Sequence, residues 1–185
     1  MGGLPVLAVL LGAASGCPQT QTQTPVDDVS ADPGGDSEQP PLFPELPANR
    51  GAGEVLDVTV PLVGGESLTL ESLRGRPVVL EISASWELGW EEAHAVFAEL
   101  ASTYPELEVI VVAAEPDDSA LLSLPEGLRP GWDPAGALAA KLSVATFPTI
   151  FVLDVQGQIS TVVNGWDDAV EAEVRDGVAR VTAGR

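Results

Sequence analysis

The chain has one thiol and one imidazole with which to do chemistry: Cys17 is the sole cysteine and His94 the sole histidine of its 185 residues. Thiol–disulfide exchange needs a thiolate to attack and a second thiol to resolve the mixed disulfide. A single cysteine cannot close an intramolecular disulfide, and it excludes the multi-cysteine zinc frameworks. A single histidine excludes a His-rich metal site, so neither a metal centre nor a cofactor is expected. His94 lies three residues beyond Glu91, a helical spacing that reads as a solvent-exposed pair. Glu87 reads as a first-turn residue of the same helix. There the dipole favours the anion and leaves the carboxylate a weak general base.

The elements that position these residues follow from periodicity. Leu56 to Val60 alternates apolar and polar residues and predicts a strand, with Gly64-Gly65 as a turn and Ser67 to Leu70 as its return. Val78 to Ile82 is a nearly continuous apolar run, the pattern of a buried central strand. Trp90, Ala93, Phe97, Leu100 and Tyr104 then recur at helical steps, with Glu91, Glu92 and Glu99 off that face, and Pro105 ends the helix. Leu107 to Ala114 predicts a second buried strand, and Asp117 to Leu124 a short helix. Pro134 to Leu142 predicts another helix, with Asp133 at its N-cap. Thr149 to Leu153 and Ile159 to Val163 form a hairpin around Asp154 to Gln158. Asp167 to about Val181 is a last helix, with Arg175 four residues after Glu171 and Arg180 four after Asp176. Trp132 and Trp166, near turns, read as packing anchors. This order predicts an α/β fold: a central mixed β-sheet flanked by helices, preceded by an extra N-terminal β-hairpin.

The formal net charge is −20, with 45% hydrophobic residues. Such a surface repels phosphate backbones and anionic headgroups, so nucleic acid is not an expected partner. The apolar fraction is enough for one real core.

Leu4 to Gly16 is an uncharged apolar run, too short for the ~20 residues of a transmembrane helix and similar to a secretory h-region. Ala14-Ser15-Gly16-Cys17 resembles a bacterial lipobox, which implies acylation of Cys17 and cleavage just before it. A plain signal peptide with an incidental cysteine is the other reading. Pro18 to Arg50 is rich in Pro, Gln, Thr, Ser, Asp and Gly and is expected to be a disordered, extended tether. Within it, Leu42 to Pro47 is more apolar, either packed on the domain edge or a short docking motif. The expected organisation is thus residues 1–16 as signal peptide, 17–53 as acylated cysteine and tether, and 54–185 as the folded domain. The chain would be exported and lipid-anchored to a bacterial membrane, facing the periplasm or cell exterior. Pro18 in place of the aspartate that commonly retains lipoproteins at the inner membrane favours the outer one.

The folded part resembles a thioredoxin-like domain of the membrane-tethered TlpA/ResA type. Members show a strand, then A-[ST]-W-C-x-x-C, then a helix. Val78 to Ser83 followed by Ala84-Ser85-Trp86 keeps that frame. Glu87 stands where the first, nucleophilic cysteine would be and Trp90 where the resolving one would be. Ala145-Thr146-Phe147-Pro148-Thr149 resembles the family's cis-proline segment, with Asp154 and Gly157 as the hairpin after it, and Trp132 to Gly136 resembles the approach to that loop. The resemblance spans roughly Glu54 to Val181. It implies that the two loops face each other across a groove that takes an extended client polypeptide, lined here by Trp86, Leu88, Trp90, Phe147 and Pro148. Trp90 either fills the space the cysteines left or contributes to binding. Leu88 and Phe147 are expected to be partly exposed.

These readings favour a non-catalytic binding or scaffold module of the cell envelope, with no catalytic residue and with an envelope protein or extended polypeptide segment as partner. The alternative, carried by resemblance alone, is a thiol–disulfide oxidoreductase or peroxidase-type redox protein. A purely structural lipoprotein is the third possibility.

Overall fold

The structure is a computed structural model, and it describes residues 50–183. The expected signal peptide, Cys17 and nearly all of the expected tether lie outside the described residues.

Seven strands and three α-helices follow in the order β1 (Thr59–Pro61), β2 (Ser67–Thr69), β3 (Val78–Ser83), α1 (Trp90–Thr103), β4 (Glu108–Ala113), β5 (Leu128–Trp132), α2 (Ala137–Lys141), β6 (Thr149–Leu153), β7 (Ile159–Asn164) and α3 (Asp168–Thr182). Strands β1 and β2 form the expected hairpin, and the main sheet has the order β5-β4-β3-β6-β7. Strands β3, β4 and β5 are parallel; β6 runs antiparallel to β3, and β7, antiparallel to β6, returns in the direction of the first three. This is the mixed α/β sheet that the sequence predicts, with the thioredoxin-like strand order.

The sheet has two buried faces because its strands alternate. On one face Val79, Val109, Val111, Ile150 and Val152 pack against Phe97 and Leu100 of α1 and Val174 and Val178 of α3. On the other, Leu80, Ile82, Ile110, Phe151 and Leu153 meet Leu138 of α2 and the hairpin residues Val58 and Val60. Burying a large apolar side chain contributes roughly 1.5–3 kcal/mol, so these two layers dominate stability.

Several elements differ from expectation for local reasons. Strand β5 was not predicted. Its sequence, Leu-Arg-Pro-Gly-Trp, contains a proline that cannot donate to a ladder, and such strands survive only at a sheet edge, where this one lies. Helix α2 begins at Ala137 rather than Pro134 because the Asp133 carboxylate reaches forward, accepting from the backbone N–H groups of Ala137, Leu138 and Ala139 at 2.8–3.0 Å. Residues Ser119–Ser123 form a 3₁₀ turn instead of the expected helix. In the first predicted strand Leu56, Val58 and Val60 are buried as its alternation requires, yet ladder pairing starts only at Thr59. Arg180 donates to Thr161 Oγ1 at 2.8 Å rather than pairing with Asp176. The chain enters the domain at the turn between β6 and β7, where Gly53 N–H donates to Ile159 O and Leu56 N–H to Gly157 O.

Helices α1 and α3 are joined by one arginine. Arg175 donates to Glu171 at 2.8 Å within α3 and to Glu99 of α1 at 2.8 and 3.2 Å. The hydrogen bond from Arg175, and then its charge, hold the Glu99 carboxyl below the ordinary glutamate range. A carboxyl lowered by folding stabilises the fold above its unfolded pKa and loses that contribution as pH falls through the folded value. Glu99→Gln is therefore expected to melt slightly below the parent at neutral pH. The gap is expected to close on acidification through the carboxylate range. Thermal melts of both proteins across that range check it, and a gap unchanged at low pH would assign the effect to something other than this ion pair.

Candidate functional site

The candidate site sits where β3 ends and β6 begins. Ile82 pairs with Thr149 in the antiparallel register. The loop after β3, residues 84–89, therefore leaves the sheet beside the loop that precedes β6. The Phe147–Pro148 peptide bond is cis, as the resemblance implied. Pro148 is buried, and its carbonyl accepts from Gly165 N–H at 2.8 Å.

The 84–89 loop is fixed from beneath. Glu115, buried just after β4, accepts from the Ser85 N–H at 2.9 Å and from its hydroxyl at 3.1 Å. The Glu115 carbonyl in turn accepts from Trp132 Nε1 at 2.9 Å. Glu87 N–H closes a turn onto Ala84 O at 3.1 Å. Gly89 then adopts φ 86° as the N-cap of α1. Only glycine fits that position comfortably, because a Cβ there would lie 2.6 Å from Trp166 Cδ1. Trp166 also packs edge-on against Phe97, with ring centroids 5.6 Å apart. Trp132 and Trp166 are packing anchors, as expected, and what they anchor is this loop.

Out of that frame two large apolar side chains project. Trp86 is 61% exposed and Leu88 is 91% exposed. Phe147 is half-buried and packs against the α2-side core. Glu87 is half-buried and lies three residues before the helix, not in its first turn, since α1 starts at Trp90. Trp90 is half-buried and belongs to the α1-side core layer. Of the five groove candidates, the structure therefore brings Trp86 and Leu88 to the surface. Pro148 and Phe147 are set at the neighbouring strand end, and Trp90 is turned mainly inward.

His94 overturns its expected exposure. It is 2% exposed and pairs not with Glu91 but with Glu81 of β3, itself 1% exposed; Nε2 and Oε2 are 2.7 Å apart. Trp90 stands edge-on against the imidazole at 4.3 Å. His94 falls one helical turn after Trp90, on the apolar face of α1, and Glu81 lies on the sheet face that α1 covers. The polar pair is thus enclosed within an apolar layer. The signal was present in the sequence: a lone carboxylate inside the Val78–Ile82 run requires a buried partner, and the chain has one imidazole on the apolar stripe of the following helix. Glu115, which no local pattern marked, was the other residue missed.

Chemically, the site offers no thiol among the described residues, and no cluster of three or more His, Cys, Asp or Glu side chains able to hold a metal was found among them. It offers a loop tied down by hydrogen bonds, with exposed apolar side chains, beside a cis-proline loop.

No family model matches this sequence, and no curated protein matches it. Solved structures do. A putative thiol:disulfide interchange protein DsbE from Chlorobium tepidum is 19% identical, with a TM-score of 0.66 over 72% of this chain and 99% of that one. A putative protein disulfide isomerase from Bacteroides thetaiotaomicron is 21% identical, with a TM-score of 0.62 over 72% and 91%. The exposed lipoprotein thioredoxin Etrx1 of Streptococcus pneumoniae is 19% identical, with a TM-score of 0.53 over 68% and 99%. The fold is thioredoxin-like. Its structural similarity is to the thiol–disulfide oxidoreductases of the DsbE and TlpA type.

Proposed function

We propose that this chain is a non-catalytic binding or scaffold module, exported and lipid-anchored in the bacterial cell envelope, that holds an extended polypeptide segment at the surface carrying Trp86 and Leu88. The observation that carries this reading is the exposure of those two side chains, 61% and 91%, on a loop pinned by Glu115 and Trp166. Large apolar residues displayed on a rigid loop are characteristic of binding surfaces, where aromatic anchors dominate affinity. By the motif resemblance Glu87 and Trp90 stand where the two thiols would be, and Cys17 lies more than thirty residues before Glu54 in the sequence. Export and anchoring rest on the apolar run before Cys17 and its lipobox-like residues. One structurally similar protein is itself described as an exposed lipoprotein.

Site-specific photo-crosslinking from position 88 in the native envelope tests the module. A discrete cross-linked polypeptide is expected, and Trp86→Ala is expected to weaken its capture by about 2 kcal/mol, the scale of an interface hot spot. Because Trp86 is a surface residue, the same substitution is expected to change folding stability by less than ~0.5 kcal/mol. In parallel, the chain and its Cys17→Ser variant should be equally inactive in insulin reduction and peroxide turnover. Turnover that depends on Cys17 would overturn the non-catalytic reading.

A further inference from the structure

We propose that the segment held at Trp86 and Leu88 is basic as well as apolar: an extended polypeptide in which Lys or Arg residues flank the apolar side chains. This rests on the binding-module reading and adds the chemistry of the partner.

The charge of the domain is sorted by the two ends of its sheet. Strands β3, β4, β5 and β7 end, and β6 begins, at the end that carries Trp86 and Leu88. The loops collected there are residues 84–89, 114–118, 133–136, 143–148 and 165–167. Not one of them contains Lys or Arg, and four of the five carry carboxylates. Helices α1 and α3 both start at this end, and their first turns add Glu91, Glu92 and Asp168. The buried carboxylates there, Glu115 and Asp133, and the exposed helix cap Asp167 accept hydrogen bonds from Ser85 or from helix N–H groups, not from cations. Hydrogen bonds from Ser119 hold the Asp117 carboxyl below the ordinary range.

The cations other than Lys141 lie elsewhere. The chain has eight Lys and Arg residues, all but Arg185 among the described ones. Arg74 reaches over Gly157 at the β6–β7 turn and pairs with Asp57. Arg76 and Arg129 converge on Glu108, the first residue of β4, at 2.8 and 2.5 Å beside a concavity of about 670 Å³. Arg50 pairs with Glu54 at the chain's entry point. Lys141 sits against the hairpin, in one concavity with Asp57 and Glu71 and in a neighbouring one that the capping carboxylate Asp133 also lines. Arg175 and Arg180 are spent on α1, α3 and β7.

Exposed apolar side chains ringed by unmatched carboxylates select a cationic partner, because like charge juxtaposed at a desolvating surface is unfavourable and opposite charge steers encounter. The other occupants fit less well. A second copy would present the same acidic end. An anionic lipid surface is repelled. The chain's own N-terminal segment, residues 1–49, contains no Lys or Arg and several acidic residues.

The test uses the full chain and three short synthetic peptides that share an apolar Leu/Phe centre and differ only in flanks of Lys, Ser or Glu. Binding is read by isothermal titration calorimetry against the parent, Leu88→Ser and Glu91→Gln/Glu92→Gln. The Lys-flanked peptide is expected to bind roughly tenfold or more tightly than the Ser-flanked one at low salt, with the Glu-flanked one weakest. Added salt should erase the difference, since exposed charges are screened beyond about 10 Å at 0.1 M. Leu88→Ser should abolish binding of all three, and the double Gln variant should narrow the Lys preference. Equal, Leu88-dependent affinity for all three peptides overturns the basic-partner inference and leaves the binding module standing. Lys-peptide binding that survives Leu88→Ser overturns it as diffuse charge attraction. An absence of any Leu88-dependent binding removes both readings.

Discussion

His94→Ala is expected to destabilise the domain by about 3–5 kcal/mol, the cost of removing one member of a buried polar pair. Glu81 and His94 are both at least 98% buried and touch at 2.7 Å. Whichever side chain carries the proton, deleting the imidazole leaves a carboxyl enclosed by Val79, Phe97 and their neighbours with nothing to bond. It also removes the surface against which Trp90 stands edge-on. The pair as a whole is worth much less than this, because both groups were desolvated to form it. Glu81→Leu/His94→Leu should therefore lie within about 1.5 kcal/mol of the parent, the range of tolerated apolar replacements. Urea unfolding of the two single variants and the double variant reads the cycle. A loss below 1 kcal/mol for His94→Ala, on the ~0.5–3 kcal/mol scale of ordinary substitutions, would show that water or a rearranged side chain satisfies Glu81.

The second large effect is expected at Gly89. An alanine there must hold a left-handed conformation, which costs roughly 1–2 kcal/mol. Its Cβ must also displace Trp166, whose Cδ1, Cβ and Cγ would stand 2.6, 2.9 and 3.0 Å away. Overpacking of this kind costs a further ~1–3 kcal/mol. Gly136 supplies the control. It too has positive φ, 65°, at the start of a helix, but a Cβ there meets nothing within 4 Å. Gly136→Ala should therefore show the backbone cost alone, and Gly89→Ala should exceed it by the displacement of Trp166. Thermal melts of the two variants measure the difference. Peptide binding then tests whether the site loop moves with the tryptophan. If the two variants melt alike, Trp166 yields freely and does not brace the loop.

The core strands, α1, α3 and the terminal hairpin were legible because their periodicities are long and uninterrupted, from Val78–Ile82 through Ile159–Val163. The cis bond at Pro148 and the placement of residues 84–90 followed from local motif resemblance. What escaped had non-local causes. Strand β5 exists because a neighbour, β4, offers it a ladder, against the preference of Pro130 and Gly131. Helix α2 starts late because one carboxylate outcompetes the favourable first-turn position of Pro134. His94 escaped because Glu91 is its nearer acidic neighbour along the chain, whereas its helical phase, shared with Trp90 and Phe97, turns it inward to Glu81. Glu115 sits in a stretch with no pattern at all, and only folding brings it beneath Ser85, thirty residues earlier. Local reading found the side chains that face outward at the site. It missed those that hold them there.

The place where the chain enters its domain bears on mechanics. The segment before Arg50 joins at the β6–β7 turn, through Gly53, Leu56 and Ile159. Trp86 and Leu88 stand at the far end of the same strands. A tension applied between a partner gripped there and the N-terminal segment runs along the strand axes. Rows of ladder hydrogen bonds between β3 and β6, and between β6 and β7, then share the load side by side instead of opening one after another. On the proposed reading, a partner at one pole and the N-terminal segment at the other would make the domain a link in series.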